Sequence, residues 1–171
     1  MSDFPAVPGF TATRLSADDA PALQDLFERA PDYFELCEGG PAHADAALTE
    51  LTRVPEFATA ADLVTFGFRR EEALDAVVVL LRDSRVEATW WIGLLLLAPP
   101  VRRSGLGTLI VDATREWLAS QGAKSIYIGV VTANDAALRF WRARGFEDKG
   151  VQPFTTAYGF ATEVVVMRLG V

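Results

Sequence analysis

The segment from residue 89 to residue 117 constrains the fold of this chain more than any other. An apolar run from Trp90 to Ala98 is broken by Pro99 and Pro100 and followed by Gly105 and Gly107. The run has the length and character of a buried strand. The prolines lack the backbone donor that a ladder needs, so the sheet stops there. Beyond the glycines, Leu106, Leu109, Ile110, Ala113 and Trp117 recur at helical spacing and predict an amphipathic helix with those residues on one face. The chain therefore passes from strand to helix through a tight turn. The first N–H groups of such a helix are unpaired, and its dipole adds positive partial charge. Arg102 and Arg103 stand beside them, and Gly105 and Gly107 let a ligand approach the backbone. With Ser104, Leu106 and Thr108, these residues form a candidate seat for a pyrophosphate. The alternative is a tight connection that binds nothing.

Two common phosphate motifs do not fit. A Walker loop requires a lysine that is missing here, and a dinucleotide fingerprint requires glycine where Ile110 stands. The pattern present is Arg102-x-x-Gly105-x-Gly107, with Pro99 three residues upstream. A second pattern follows it. Residues 125–131 alternate and are β-branched, which predicts a strand. Asn134 then precedes a helical stretch closed by Gly145 and Phe146, with Asn134 placed as N-cap, Asp135 in the first turn and Gly145 as C-cap.

In order and spacing the two patterns resemble the motifs of the GNAT superfamily, the acetyl-CoA-dependent N-acyltransferases. Asn134, Ala137, Gly145 and Phe146 match its second motif, while Trp141 replaces the usual tyrosine. The likeness covers roughly residues 89 to 150, and the first third carries no comparable match. It implies an α/β fold with a mixed sheet, β-α-α-β-β-β-α-β-α-β with a final strand at 160–169, splayed between the fourth and fifth strands. It also implies acetyl transfer from acetyl-CoA, as co-substrate, to the amine of a small molecule or, secondly, to a protein amino group. A non-catalytic acyl-CoA-binding module on the same fold is the alternative.

By that resemblance, backbone groups of Leu95, Leu97 and Ala98 bind the pantetheine and the thioester carbonyl. The turn from Arg102 to Thr108 binds the pyrophosphate through its N–H groups. Asn134 bonds the pantetheine, and Ala137 and Phe140 pack on it; the alternatives are that Asn134 is only a cap and Phe140 only core. Tyr33, Phe34 and Trp91 are expected on the acceptor side, where aromatic rings beside acids suit a cationic amine. No catalytic residue is assigned. An indole N–H donates a hydrogen bond but is not a practical proton source, which leaves Tyr158 and Tyr127 as candidate acids. Trp90 to Ala98 contains no carboxylate, so Asp32, Glu35, Glu38 and Asp75 are the candidate bases.

The remaining elements are read from periodicity. A first strand covers 10–15, and a helix runs from Asp18 to about Ala30 behind Ser16, with Ala20, Leu23, Leu26 and Phe27 on one face. Residues 32–40 read as a loop, and Pro41 opens a second helix through Ala44, Ala47, Leu48 and Leu51. Strands at 63–68 and 73–81 form a hairpin around Arg70. A length of 171 residues suits one domain over 1–171.

Charge separates the chain. Residues 1–60 hold eleven acids against Arg14, Arg29 and Arg53, a balance of −8, so the total of −7 leaves the rest at +1. That balance speaks against a nucleic-acid partner. No uncharged apolar stretch is long enough for a membrane span, and Met1 to Pro5 has neither a basic flank nor a signal-type core. A single cysteine, Cys37, and a single histidine, His43, fit a reducing cytoplasm and no structural metal. Cys37 reads as a small buried hydrophobe, and the assembly is expected to be a monomer or homodimer.

Overall fold

The structure, a computed structural model, describes residues 3–171; Met1 and Ser2 lie outside the described residues. Strands β1 (Thr11–Arg14), β2 (Leu63–Arg69), β3 (Ala76–Arg82) and β4 (Thr89–Leu97) pair antiparallel in succession. Strand β5 (Ser125–Val131) lies parallel to β4. Strand β6 (Glu147–Thr155) is outermost, and β7 (Ala161–Gly170) lies between β5 and β6, giving one sheet in the order β1-β2-β3-β4-β5-β7-β6. The helices are α1 (Ala20–Glu28), α2 (Pro31–Glu38), α3 (Ala46–Thr52), α4 (Leu106–Ser120) and α5 (Asp135–Ala143). The expected mixed α/β sheet is what forms, with a single parallel pair at its centre.

β3 is buried from Ala76 to Leu80 because both of its faces are covered, which is why its sequence is a continuous apolar run. On one face Trp117 of α4 meets Phe66 and Trp90 edge-on, with ring centroids 5.3 and 5.7 Å apart. On the other lie the N-terminal helices, with Phe27 of α1 against Phe34 of α2 at 4.9 Å.

Several sequence expectations need correction. Residues 31–38 form a helix rather than a loop: Pro31 occupies its first turn and Gly39 its left-handed C-cap, at φ 77°. The next helix begins at Ala46, not at Pro41, and the Gln24 side chain from α1 holds the chain on either side of its N-cap. Its Nε2 donates to the His43 carbonyl (2.9 Å), and its Oε1 accepts from Ala47 N–H (3.0 Å). Leu48 is consequently exposed. Leu109 is also exposed, since α4 buries the stripe Leu106, Ile110, Val111, Ala113, Thr114, Trp117 and Leu118 instead. Strand β6 had no sequence signal: every one of its residues is exposed, and Gly150 and Pro153 interrupt it.

The feature that shapes the centre of the sheet is a bulge in β4. Ile92 pairs with Leu80 and Leu94 with Val79, so Gly93 is the extra residue on β4. Neighbouring residues of β3 face opposite sides, so Ile92 and Leu94 do too, and Trp91 and Leu94 end on the same face. The bulge coincides with the end of the β4–β5 pairing, which runs from Thr89↔Ser125 to Ile92↔Ile128 and stops. The next residues in register would be Gly93 and Gly129. Neither has a positive φ. A Cβ on Gly93 would meet only Val79 atoms, at 3.7 and 3.8 Å, which is ordinary contact.

Glycine at 93 is thus not required by the backbone. Gly93→Ala is expected to leave stability unchanged or raise it by about 0.4–1 kcal/mol through the unfolded state. Urea unfolding tests this: a loss of more than about 1 kcal/mol would mean that the bulge itself needs glycine.

Candidate active site

Beyond Ile92 and Ile128 the two central strands diverge, and two different environments open from the gap. The first runs along β4 toward α4. Gly105, at φ 88°, is the N-cap of α4, and no side chain caps that helix. The unpaired N–H groups of its first turn therefore face outward together with the positive end of the dipole. A Cβ on Gly105 would meet nothing, and one on Gly107 would lie 3.4 Å from the Phe140 ring and 3.8 Å from Leu97. Leu97, Gly107 and Phe140 thus pack together where β4, α4 and α5 meet.

Three arginines surround this end, and they differ. Arg103 is exposed, at φ 58°. Arg102 is held by its neighbours: its Nε donates to the Leu97 carbonyl (2.9 Å), and its two terminal nitrogens engage the Asp32 carboxylate, one of them at 3.1 Å. That guanidinium holds the Asp32 carboxyl below its ordinary value. The third, Arg144, was not singled out by the sequence, where it reads as an ordinary cation at a helix C-terminus. It donates to the Thr108 hydroxyl at 2.7 Å and so stands over the first turn of α4. Ser104 donates to the Val101 carbonyl (2.6 Å). Ala98 has both backbone groups engaged, its N–H with the Asp75 carbonyl and its carbonyl with Val101 N–H.

Asn134 caps α5, its Oδ1 accepting from Ala137 N–H (3.1 Å), while its Nδ2 points to Cys37 Sγ at 3.9 Å. Burial pushes the Cys37 thiol up to about 11, so it is a neutral thiol at physiological pH. Helix α2 therefore spans the opening, tied to the end of β4 through Asp32 and to the start of α5 through Cys37.

The second environment is a cavity of about 480 Å³ on the opposite side of the parting. Gly93 and Leu94 of β4 and Gly129 and Val131 of β5 line it, so it opens onto the gap between the strands. The structure places Tyr33, Phe34 and Trp91, the three residues expected on the acceptor side, together in its wall. Of the four candidate bases only Glu38 lines it. Asp32 is engaged by Arg102, Glu35 is exposed, and Asp75 accepts from Arg70 N–H (3.0 Å).

A carboxylate that the sequence did not single out completes the set. Glu50, on α3, lines the cavity, and burial together with the like charge of Glu38 raises it to about 7. Burial raises Glu38 as well. A carboxylate poised near neutrality is suited to exchanging protons with a bound ligand. Among the phenols, Tyr33 lines the cavity and is kept protonated by burial. Tyr158 also lines it, with its hydroxyl bonded to Asp45 (2.7 Å) and Thr49 (3.2 Å) and its ring stacked on His43 at 3.8 Å. Tyr127 packs against Trp91 at 5.2 Å and is not part of the lining. Among the described residues no helix is long and apolar enough to cross a membrane.

Comparison with known proteins agrees with this geometry. The model of the acetyltransferase (GNAT) family matches residues 23–146. The chain is similar to a probable acetyltransferase (GNAT family) from Chromobacterium violaceum, at TM-score 0.76 and 18% identity over 96% of this chain and 89% of that one. A putative acetyltransferase of the GNAT family from Desulfovibrio desulfuricans gives TM-score 0.74 and 16% identity, over 94% and 98%. The ribosomal-protein-S18-alanine N-acetyltransferase from Escherichia coli gives 0.70 and 18%, over 94% and 93%. At such identities the likeness is one of fold. Comparison with curated proteins gives no match.

Trp141 stands where the resemblance places a tyrosine. It is 4% exposed, with Phe140 and Phe146 at 5.1 and 5.0 Å, and it does not line the cavity. Its role is packing. Trp141→Phe is expected to cost about 1–2 kcal/mol of stability, read as a lower melting temperature, with turnover of the folded variant unchanged within a few fold. A loss of turnover near a hundredfold in a folded variant would contradict a packing role.

Proposed function

The chain belongs to the acetyltransferase (GNAT) family, and from that premise we propose that it moves an acetyl group from acetyl-CoA to the amine of a small molecule, as one domain over residues 1–171. The observation that carries this reading is the parting of β4 and β5 after Ile92↔Ile128. It lies between an uncapped helix end beside arginines and a cavity that holds acids. An extended ligand with a pyrophosphate at one end fits the first environment, and an amine fits the second.

The residues present suit coenzyme A. The N–H groups of Arg103, Ser104, Gly105, Leu106, Gly107 and Thr108 would hold the pyrophosphate, with Arg103 and Arg144 supplying charge. The role of Arg102 is to fix the end of β4. Leu95 would supply backbone groups along the open edge and Leu97 its N–H, since the Leu97 carbonyl is held by Arg102 and Ala98 is occupied in the fold. Phe140 and Ala137 border the pantetheine, and the Asn134 carboxamide lies at its edge. When bound, acetyl-CoA supplies the acyl carbon, and its sulfur leaves as the thiol.

The protein's part is proton transfer and placement. An amine reaches the cavity as its ammonium, attracted by Glu38 and Glu50. Glu50 takes the first proton and passes it to solvent, which frees the nitrogen lone pair for the N–C bond. The second proton leaves the nitrogen as the C–S bond breaks; a cavity phenol, Tyr33 or Tyr158, both kept protonated by burial, gives its own proton to the sulfur and takes the nitrogen's. Gly93 and Gly129 leave the meeting point free of side chains. Cys37 as a buried thiol is in keeping with a cytoplasmic location.

Glu50 must be ionised to act. Its carboxylate fraction grows as pH rises through about 7, so kcat/KM is expected to climb about tenfold per pH unit below that value and level off above it. Thiol release from acetyl-CoA in the presence of primary amines measures this. Glu50→Gln should lower kcat on the order of 100-fold and remove the inflection, because a general base contributes on that scale. An unchanged pH profile in a folded Glu50→Gln variant would refute Glu50 as the base.

A further inference from the structure

We propose that the acceptor is a flat, hydrophobic monoamine without a carboxylate, its ammonium taken by Glu38 and Glu50 and its body lying among Phe34, Trp91 and Leu94. This rests on the acyltransferase reading and narrows it to a class of substrate.

Size comes first. A cavity of about 480 Å³ is in the range of pockets that enclose one small organic molecule. Its wall is aromatic and aliphatic on every element that contributes to it, with Phe27 and Phe34 from the N-terminal helices, Trp91 and Leu94 from β4, and Val164 and Val166 from β7. Such a wall rewards apolar surface and penalises unpaired polar groups, which disfavours sugars and extended peptide backbone.

The charges then fix the ligand's single polar end. Among the described lining residues the carboxylates are Glu38 and Glu50, and the only guanidinium is Arg85. Arg85 is not free for a ligand. It binds Asp83 in bidentate fashion, at 2.9 and 2.8 Å, and lies flat over Phe57 with its guanidinium carbon 3.6 Å from the ring centroid. Asp83 in turn accepts from Trp91 Nε1 at 3.1 Å. The histidine of the lining, His43, is stacked on Tyr158. A ligand carboxylate would thus meet two acids and a guanidinium whose charge is already paired with Asp83. A second ammonium on a polyamine would lie against apolar wall. One ammonium and one apolar body match the two acids and the apolar wall.

The test measures binding and turnover separately, with 2-phenylethylamine as probe. Its neutral isostere 2-phenylethanol, the amino acid phenylalanine and the polyamine spermidine serve as comparisons. Calorimetry with the full chain should show 2-phenylethylamine binding. Glu50→Gln, Glu38→Gln and the double variant should each weaken it, the double variant at least tenfold, while inhibition by 2-phenylethanol changes less than twofold. Thiol release from acetyl-CoA should give kcat/KM for 2-phenylethylamine at least tenfold above that for phenylalanine or spermidine. If spermidine or phenylalanine is the better acceptor, acyl transfer stands and this proposal is overturned. The same holds if the Glu→Gln variants leave 2-phenylethylamine binding unchanged. Glutamate-dependent binding of 2-phenylethylamine without thiol release from any amine would support the amine site and overturn the acyl-transfer reading instead. Absence of 2-phenylethylamine binding overturns the proposal directly.

Discussion

Among the described residues, the strand pairing between the two halves of the sheet consists of four residue pairs, Thr89↔Ser125 to Ile92↔Ile128. Both strands continue past that point, β4 to Leu97 and β5 to Val131, but they no longer bond to each other. Peptide groups without a partner are costly wherever they are removed from water. Parting two central strands therefore leaves an open backbone edge that an extended ligand with amide groups can complete. The bulge at Gly93 starts the divergence, since it turns the strand and changes which side chains face which side. It puts Trp91 and Leu94, three residues apart, on the cavity wall, and it leaves Leu97 beside Gly107 and Phe140 on the other side.

The charge asymmetry of the chain maps onto the same division. The acidic first third supplies α2 and α3, which carry Glu38 and Glu50 into an apolar cavity. Burial raises both acids and the charge of Glu38 raises Glu50 further, a cost that the fold carries and that a cationic ligand relieves. Arg102, Arg103 and Arg144 gather at the opposite end, around the start of α4. Asp32 is the exception that joins the two, since its pair with Arg102 fastens α2 across the opening. An exposed pair of this kind contributes little to stability; its consequence is positional.

Much of this was legible in the sequence because it is local. The proline break after β4, the two glycines of the turn and the Asn134 to Phe146 helix each follow from residue types at fixed spacing, and the structure places them so. Tyr33, Phe34 and Trp91 share one wall, as the aromatic character of the loop and strand suggested. The misses were non-local. Glu50 reads as an ordinary polar position on a short helix, and only the packing of α3 against the opened sheet makes it a buried acid. Strand β6 carries no alternation because none of it is buried. Helix α2 did have a signal, the pair Pro31 and Gly39, but a proline reads equally as the end of the preceding helix. The Gly93 bulge is invisible in an apolar run whose two faces are both covered.

Hydrogen exchange at single-amide resolution, with and without saturating coenzyme A, tests the central claim most directly. If the parting is the slot and the start of α4 the phosphate seat, protection should appear in two stretches, residues 93–97 of β4 and residues 103–108, while β6 remains unchanged. Coenzyme A that binds tightly but leaves both stretches exchanging at their original rates would contradict the account.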